Sequence, residues 1–289
     1  MTVFYRDNFI ELNKDSTWNN RAFRYGDGLF ETMRIMNGEL LFFQDHMDRL
    51  FAGMQTLKMD IPKLWDTNYF YQLVCALMEQ NQITVSGRIR IQVWRGGEGY
   101  YAPQHSVPQL FIEIKPIAGK TYEWIQNGLT IDVASQVRKA YDSTSNIKTS
   151  SSLTYILASI EAQEKKLDEV LIENAYGKIA DTCTGNIFLV SKGKITTPSL
   201  RDAPIAGILR HNLIAMLRHE KLAISEQSIT LQDILQADEV FITNTIHGIR
   251  PVRQCRDKIY YSGFTKMLFE RFQTYLTSEE EEHEANHLD

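Results

Sequence analysis

The sequence predicts an α+β fold in two domains. Three observations carry that expectation. Strand patterns of period two and helix patterns of period 3.6 are mixed without strict alternation, the pattern breaks at "AGKTYEWIQNG", and 289 residues are enough for two hydrophobic cores. The break places a linker at residues 118–124. It separates a small N-terminal α/β domain, 1–117, from a larger strand-rich domain, 125–276, followed by an acidic segment, 277–289.

The elements follow in order. The N-terminal part reads strand, strand, helix, helix. "GELLFFQ" has short strand character, and Asp45 caps "HMDRLFAGMQTL", where Leu50, Phe51, Met54 and Leu57 share one face. "LWDTNYFYQLVCALMEQ" is a second amphipathic helix. "GRIRIQVWRG" alternates Ile89, Ile91 and Val93 against Arg88, Arg90 and Gln92, as a half-buried strand does, and "QLFIEIKPI" is its neighbour in sequence. In the C-terminal part "LTIDVAS", "EVLIEN", "GKIADTCTGNIFLVS", "GKITTP" and "DEVFITNT" read as strands, with "NAYG" and "SKG" as turns. "SSLTYILASIEAQEKK", "GILRHNLIAMLRHE" and "FTKMLFERFQTYL" read as helices, the first with Leu153, Ile156, Leu157 and Ile160 on one face. The like-charge run "SEEEEHEANHLD" reads as a frayed end.

Composition excludes several classes. A net charge of −5 speaks against a nucleic-acid surface. No apolar run is long enough to cross a bilayer, and "MTVFYRDNFIEL" lacks a signal-peptide pattern. Cys75, Cys183 and Cys255 are far apart and form no CxxC pair, so neither a disulfide framework nor a zinc site is indicated, and a cytoplasmic setting is expected. The 7 histidines show no metal-ligand spacing, and His46 and His219 read as ordinary helix residues.

Chemistry concentrates in a few stretches. In "SNIKTSSSLTYILA", Lys148 sits among small hydroxyls with no charged neighbour from Ser143 to Ile160. Such a setting removes hydration and supplies no anion, which favours the free amine that condenses with aldehydes. A surface lysine in a Ser/Thr loop is the plain alternative. In "APIAGILRHNL", Gly207 precedes a helix whose first-turn N–H groups suit a phosphate; a simple loop-to-helix junction would look the same. "DEVFITNTIHGIRPV" ends a strand in Thr243, Asn244 and Thr245, after which Gly248 and Pro251 turn the chain. "RYGDGLFETMR" puts two glycines before a strand, and Arg34 and Arg49 are cations that suit an anion or the surface.

Taken together and in this order, these stretches resemble the fold-type IV, pyridoxal phosphate-dependent family of branched-chain aminotransferases, D-amino-acid aminotransferases and aminodeoxychorismate lyases. The resemblance runs from "RAFRYGDGLFETMR" through "HMDRL", "IKTSSSLTYILA" and "DEVLIENAYGKIADTCTGNIFLV" to "TPSLRDAPIAGILR" and "DEVFITNTIHGIRPV". It implies a two-domain, D-amino-acid aminotransferase-like fold and a homodimer acting on a small amino substrate. It implies that Lys148 bonds the pyridoxal 5'-phosphate aldehyde and shuttles protons. Arg49, the backbone at Gly207, Ile208 and Leu209, and Thr245 would hold the phosphate, while Asn186 would have a structural role. The family's glutamate for the ring nitrogen is replaced by Asp181, which keeps the charge on a side chain one methylene shorter.

Within the family, Ser152-Leu153 stands where branched-chain aminotransferases have Asn-Tyr, and "FETMR" where they have "FEGIR". Lys148-Thr149 partly echoes the D-amino-acid enzymes. "RYGDGLFETMR", "WRGGEGYYAP" and "TNTIHGIRPV" resemble the lyases, whose proton-donating threonine falls at Thr32. The resemblance therefore implies a 4-amino-4-deoxychorismate lyase giving 4-aminobenzoate and pyruvate. The alternatives are an aminotransferase for branched-chain or D-amino acids, and a cofactor-binding protein of low activity.

Overall fold

Several helices begin at a residue whose side chain caps them. A computed structural model of the chain describes residues 2–5, 8–11 and 20–286, with side chains over 20–276. Strands β1 (Thr2–Tyr5) and β2 (Asn8–Glu11) pair antiparallel. Asn20 then caps the short helix α1 (Arg21–Tyr25) by accepting from Ala22 and Phe23 N–H, and Gly26 closes it at φ 67°. Strand β3 (Gly28–Met36) and β4 (Glu39–Leu40) lead to α2 (Phe43–Thr56). Asp45 is not the cap of α2: the helix starts two residues earlier, at Phe43, after Phe42 in the left-handed region, and Asp45 serves the dipole from within the first turn. "GELLFFQ" is accordingly strand only over Glu39–Leu40. Asp66 caps α3 (Thr67–Gln80), which precedes β5 (Gly87–Arg95) and β6 (Pro108–Pro116).

The remaining elements are β7 (Leu129–Val133), α4 (Leu153–Glu164), β8 (Glu169–Glu173), β9 (Ile179–Thr182), β10 (Asn186–Ser191), β11 (Lys194–Thr197), α5 (Ile208–His219), β12 (Ile224–Glu226), α6 (Leu231–Gln236), β13 (Glu239–Asn244), β14 (Gly248–Cys255), β15 (Lys258–Ile259) and α7 (Gly263–Asn286). "GKIADTCTGNIFLVS" is two strands, not one, because the chain turns at Cys183–Gly185. Pro251 does not turn the chain; it lies inside β14 opposite Phe241. Pro251 is tolerated there because pairing to β7 begins only at Val252 and is bulged. The helical backbone of α7 continues through residue 286, into the acidic segment read as frayed, while residues 287–289 lie outside the described residues.

The chain forms two compact units. Among the described residues, one comprises those up to 35, 40–116 and 147–152, and the other 36–39, 117–146 and those from 153 to 286. In the first, the sheet runs β4-β3-β5-β6, and Leu29, Met33, Ile35, Ile89, Ile91 and Val93 pack against Met47, Leu50, Met54, Phe70 and Val74 of α2 and α3. In β5 the alternation is used in full: Ile89, Ile91 and Val93 face the core and Arg88, Arg90 and Gln92 the other side. In the second unit nine strands run β12-β11-β10-β13-β14-β7-β8-β9, with β15 on β14. Strands β8, β10 and β13 are buried on both faces over most of their length, so their sequences read as apolar runs rather than alternations, and β9 is buried throughout although it carries Asp181 and Thr182. The apolar stripe of α4 points outward. Ala158, Glu161 and Ala162 are its buried side, whereas Leu153, Ile156, Leu157 and Ile160 are 44–67% exposed.

Among the described residues no helix is long and apolar enough to cross a membrane.

Candidate active site

The candidate residues fall into two groups, one in each unit. Lys148, Thr32 and Arg49 belong to the first; Asp181, Asn186, Gly207, Ile208, Leu209 and Thr245 belong to the second.

Lys148 is placed by backbone pairing. Residues 148–150 extend the edge of β3: Phe30 N–H donates to the Lys148 carbonyl at 2.9 Å, and Ser150 N–H donates to the Gly28 carbonyl at 2.8 Å. Lys148 is therefore not in a solvated loop. Its Nζ lies 4.6 Å from the centroid of the Phe30 ring. The Arg90 guanidinium is 3.8 Å from the same centroid and donates to Gln92 at 2.7 Å, and Gln92 donates to Ser150 Oγ at 2.7 Å. Burial, followed by the charge of Arg88, lowers the Arg90 pKa. Thr32 follows Phe30 by two residues on β3, so its side chain leaves the same face, opposite Arg90 in register.

Arg49 and Arg34 are not surface cations. Arg34 is buried. Arg49 lies against the other face of β3, where Glu31 points. Its Nε donates to Glu31 Oε1 at 2.7 Å and one terminal amine donates to Oε2 at 2.5 Å. His46 Nδ1 sits 2.7 Å from the same Oε2. Burial alone would raise the Glu31 pKa, but the Arg49 charge and the His46 bond hold it at about 2. Burial also keeps His46 below its ordinary value, against the pull of Glu31. His46 is thus the neutral Nδ1–H donor, by assignment from its partner. Its reading as an ordinary helix residue missed this bond. Arg95 is committed inward, to Asp27, the Leu57 and Lys58 carbonyls and Ser106.

In the second unit the Cys183–Gly185 turn brings Asp181, at the end of β9, beside Asn186, at the start of β10. Thr182 N–H donates to the Gly185 carbonyl at 2.9 Å, and a Cβ on Gly185 would fall 2.4 Å from the Thr243 carbonyl. Only glycine fits there. Asn186 Nδ2 donates to Asp181 Oδ1 at 3.0 Å. The other oxygen, Oδ2, accepts from Ile205 N–H at 2.9 Å and from the Tyr155 hydroxyl at 2.8 Å, with Lys139 Nζ at 3.4 Å. Asp181 is buried and fully oriented by these donors. Sequence reasoning missed Lys139 and Tyr155, since neither stands at a motif position.

The same Asn186 shapes the start of α5. A Cβ on Gly207 would sit 1.9 Å from Asn186 Oδ1. Gly207 is the N-cap of α5 and has no side chain to cap the first-turn N–H groups of Ile208 and Leu209. The approach to that helix is held by Asn146, whose Nδ2 donates to the Pro204 carbonyl at 2.5 Å and whose carbonyl accepts from Ala206 N–H at 3.1 Å. Thr245 lies in the turn after β13. Its carbonyl accepts from the Tyr122 hydroxyl at 2.8 Å, and Asn244 Oδ1 accepts from Ile246 and His247 N–H at 3.1 and 2.8 Å. A helix start without a side-chain cap suits a phosphate, and a buried, oriented carboxylate suits a cationic ring N–H.

Residues 28–255 match the family described as Amino-transferase class IV. The chain is 27% identical to an aminodeoxychorismate lyase of Vibrio harveyi, over 81% of this chain and 84% of the relative. It is 26% identical to a D-alanine aminotransferase of Listeria innocua, over 87% and 86%. Its fold is similar to that of the branched-chain aminotransferase of Thermoproteus uzoniensis, with a TM-score of 0.83 at 24% identity over 98% of this chain and 96% of the other.

Proposed function

The chain belongs to the amino-transferase class IV family, and from that premise we propose that it is a pyridoxal phosphate-dependent lyase converting 4-amino-4-deoxychorismate to 4-aminobenzoate and pyruvate. The residues present suit the cofactor. The start of α5 at Gly207, Ile208 and Leu209, with Thr245 and Arg49, would hold the phosphate; Asp181 would face the ring nitrogen; and Lys148 would bond the aldehyde. When bound, the cofactor supplies a sink for the electron pair released at the amine-bearing carbon.

The protein's own part is proton handling and orientation. Glu31 and His46 fix the Arg49 guanidinium, and the clamp on Asp181 fixes a negative charge before any ligand arrives. The Lys148 amine takes the proton from the amine-bearing carbon. The enolpyruvyl C–O bond then breaks, the ring becomes aromatic, and the departing enolpyruvate takes a proton on its methylene carbon to leave as pyruvate. Thr32 is the donor in this reading. One observation carries it: Thr32 shares a face of β3 with Phe30, whose ring lies under the Lys148 amine.

An aminotransferase reading stands second, favoured by the D-alanine aminotransferase of Listeria innocua among the relatives. In that case Lys148 returns the proton and no separate hydroxyl is needed. Product analysis separates the two. Incubation with 4-amino-4-deoxychorismate is expected to release pyruvate and 4-aminobenzoate in equal amounts. Amine transfer to 2-oxoglutarate from branched-chain or D-amino acids, without pyruvate release from the chorismate derivative, would overturn the lyase reading.

The outward aliphatic stripe of α4 supports a homodimer built on that face, since four such side chains on one helix face form a patch that a second copy would cover.

A further inference from the structure

The second unit buries a lysine that the proposed chemistry does not use. Lys139 is 7% exposed and held in place by its own backbone, whose N–H donates to the Glu173 carbonyl at 2.8 Å. Its ammonium donates to the Tyr155 hydroxyl, stands 4.7 Å from the centroid of the Tyr155 ring and lies 3.4 Å from Asp181 Oδ2. Tyr155 in turn donates to that oxygen. Burial, then the negative charge of Asp181, raise the Tyr155 pKa well above its ordinary value, so the hydroxyl stays protonated and remains a donor.

The donors are distributed unequally. An ionised carboxylate has about four acceptor positions over its two oxygens. Among the described residues, Oδ2 receives Ile205 N–H, Tyr155 and Lys139, whereas Oδ1 receives only Asn186. Three donors therefore pin one oxygen and leave the other with capacity to accept. A buried carboxylate also needs a counter-charge to stay ionised, and Lys139 is the cation beside it.

We infer that Lys139, together with Tyr155, is a positioning residue that holds Asp181 by its Oδ2 and turns its Oδ1 toward the ring nitrogen of the cofactor. This rests on the reading of Asp181 as the ring partner. The clamp explains how a side chain one methylene shorter than glutamate serves the position: its orientation is imposed by three neighbours instead of being left to rotamer choice. Removing Lys139 takes away one of the three donors on Oδ2 and the cation beside it, so the carboxylate is no longer held with Oδ1 aimed at a cationic N–H.

The test is a binding measurement on the apoprotein, with two ligands. One is pyridoxal 5'-phosphate; the other is its 1-deaza analogue, in which C–H replaces the ring nitrogen. Lys139→Met is expected to weaken the first by about ten-fold or more, the scale at which partners of ligating groups act, and to leave the second within about two-fold. Lys139→Arg is expected to restore most of the loss. Tyr155→Phe removes one donor from the same oxygen and is expected to act in the same direction, more weakly; it also serves if Lys139→Met fails to fold. Equal weakening of both ligands by these variants would make Lys139 merely structural, and unchanged or tighter binding of pyridoxal phosphate would equally overturn the proposal. Asp181→Asn tests the underlying reading by itself. If it treats the two ligands alike, Asp181 is not the ring partner and the role given to Lys139 falls with it.

Discussion

Phe30 and Lys148 are tied twice: the Phe30 N–H donates to the Lys148 carbonyl at 2.9 Å, and the Lys148 amine lies 4.6 Å from the centroid of the Phe30 ring. The first tie fixes the segment on the edge of β3, and the second fixes the direction of the side chain. Borohydride treatment of protein loaded with pyridoxal phosphate is therefore expected to leave the cofactor on Lys148. Peptide mapping reads the result, and a label on Lys139 would reverse the assignment. Lys148→Ala is expected to abolish turnover while leaving the far-ultraviolet spectrum of the protein unchanged.

Thr32→Val keeps volume and β-branching and removes only the hydroxyl. Under the lyase reading it is expected to lower pyruvate release by roughly 10²-fold, the scale of a lost general acid. Cofactor binding should persist, because Thr32 is not among the residues assigned to hold it. Thr32→Ser is expected to retain most of the activity. Pyruvate release by Thr32→Val at the wild-type rate would exclude Thr32 as the donor.

The Glu31 carboxyl, held at about 2 in the folded chain against an ordinary 4.5, gives a pH dependence of known sign. Its contribution to stability is complete above pH 4.5 and is lost as the pH falls from there toward 2. The contribution is of order 3 kcal/mol, of which roughly 1–2 kcal/mol disappears between pH 7 and pH 3.5. Urea unfolding at the two pH values measures it. Glu31→Gln is expected to be less stable at pH 7, because Arg49 and His46 lose an anion, and to show a flatter acid limb. Parallel acid limbs in the two proteins would rule out this role for Glu31.

How much of this was legible follows from which interactions are local in sequence. The pairing of Asp181 with Asn186 is written in "DTCTGN": a turn with an obligatory glycine folds residues five apart onto each other. Glu31 and His46 are fifteen residues apart, on a strand and a helix, and no spacing rule joins them. Nothing in "VRKAYD" distinguishes the buried Lys139 from a surface lysine, because its partners, Tyr155 and Asp181, arrive from other elements. β14 was hidden by Pro251, which propensity alone assigns to a turn. In α4 the period identified the apolar face but not its direction, since a face turned to the core and one turned to a second copy have the same pattern.

That direction is testable. If the α4 face joins two copies, light scattering is expected to give a mass of about twice 33.4 kDa for the wild type. Leu157→Glu puts a charge in the middle of the exposed stripe and is expected to yield a monomer with an unchanged far-ultraviolet spectrum. A monomeric wild type, or a Leu157→Glu protein that stays dimeric at micromolar concentration, would remove α4 from the interface.

Gly207 is required for space, not for backbone conformation: its φ is −66°, which any residue adopts. A Cβ there would lie 1.9 Å from Asn186 Oδ1. The amide cannot simply swing away, because its Nδ2 is held by Asp181 Oδ1 at 3.0 Å and by the Ile205 carbonyl at 2.9 Å. Gly207→Ala must therefore move the start of α5, the Asn186 amide or both, and Asp181 loses a donor if the amide goes. Overpacking of this kind costs about 1–3 kcal/mol. The cost is expected in urea unfolding of the apoprotein, together with weaker binding of pyridoxal phosphate. Asn186→Ala opens the space, so in that background the added cost of Gly207→Ala is expected to shrink to within about 0.5 kcal/mol of zero, the coupling that residues in contact show. Costs that simply add would mean that the helix start yields instead, and that Asn186 does not set the shape of the phosphate-binding end of α5.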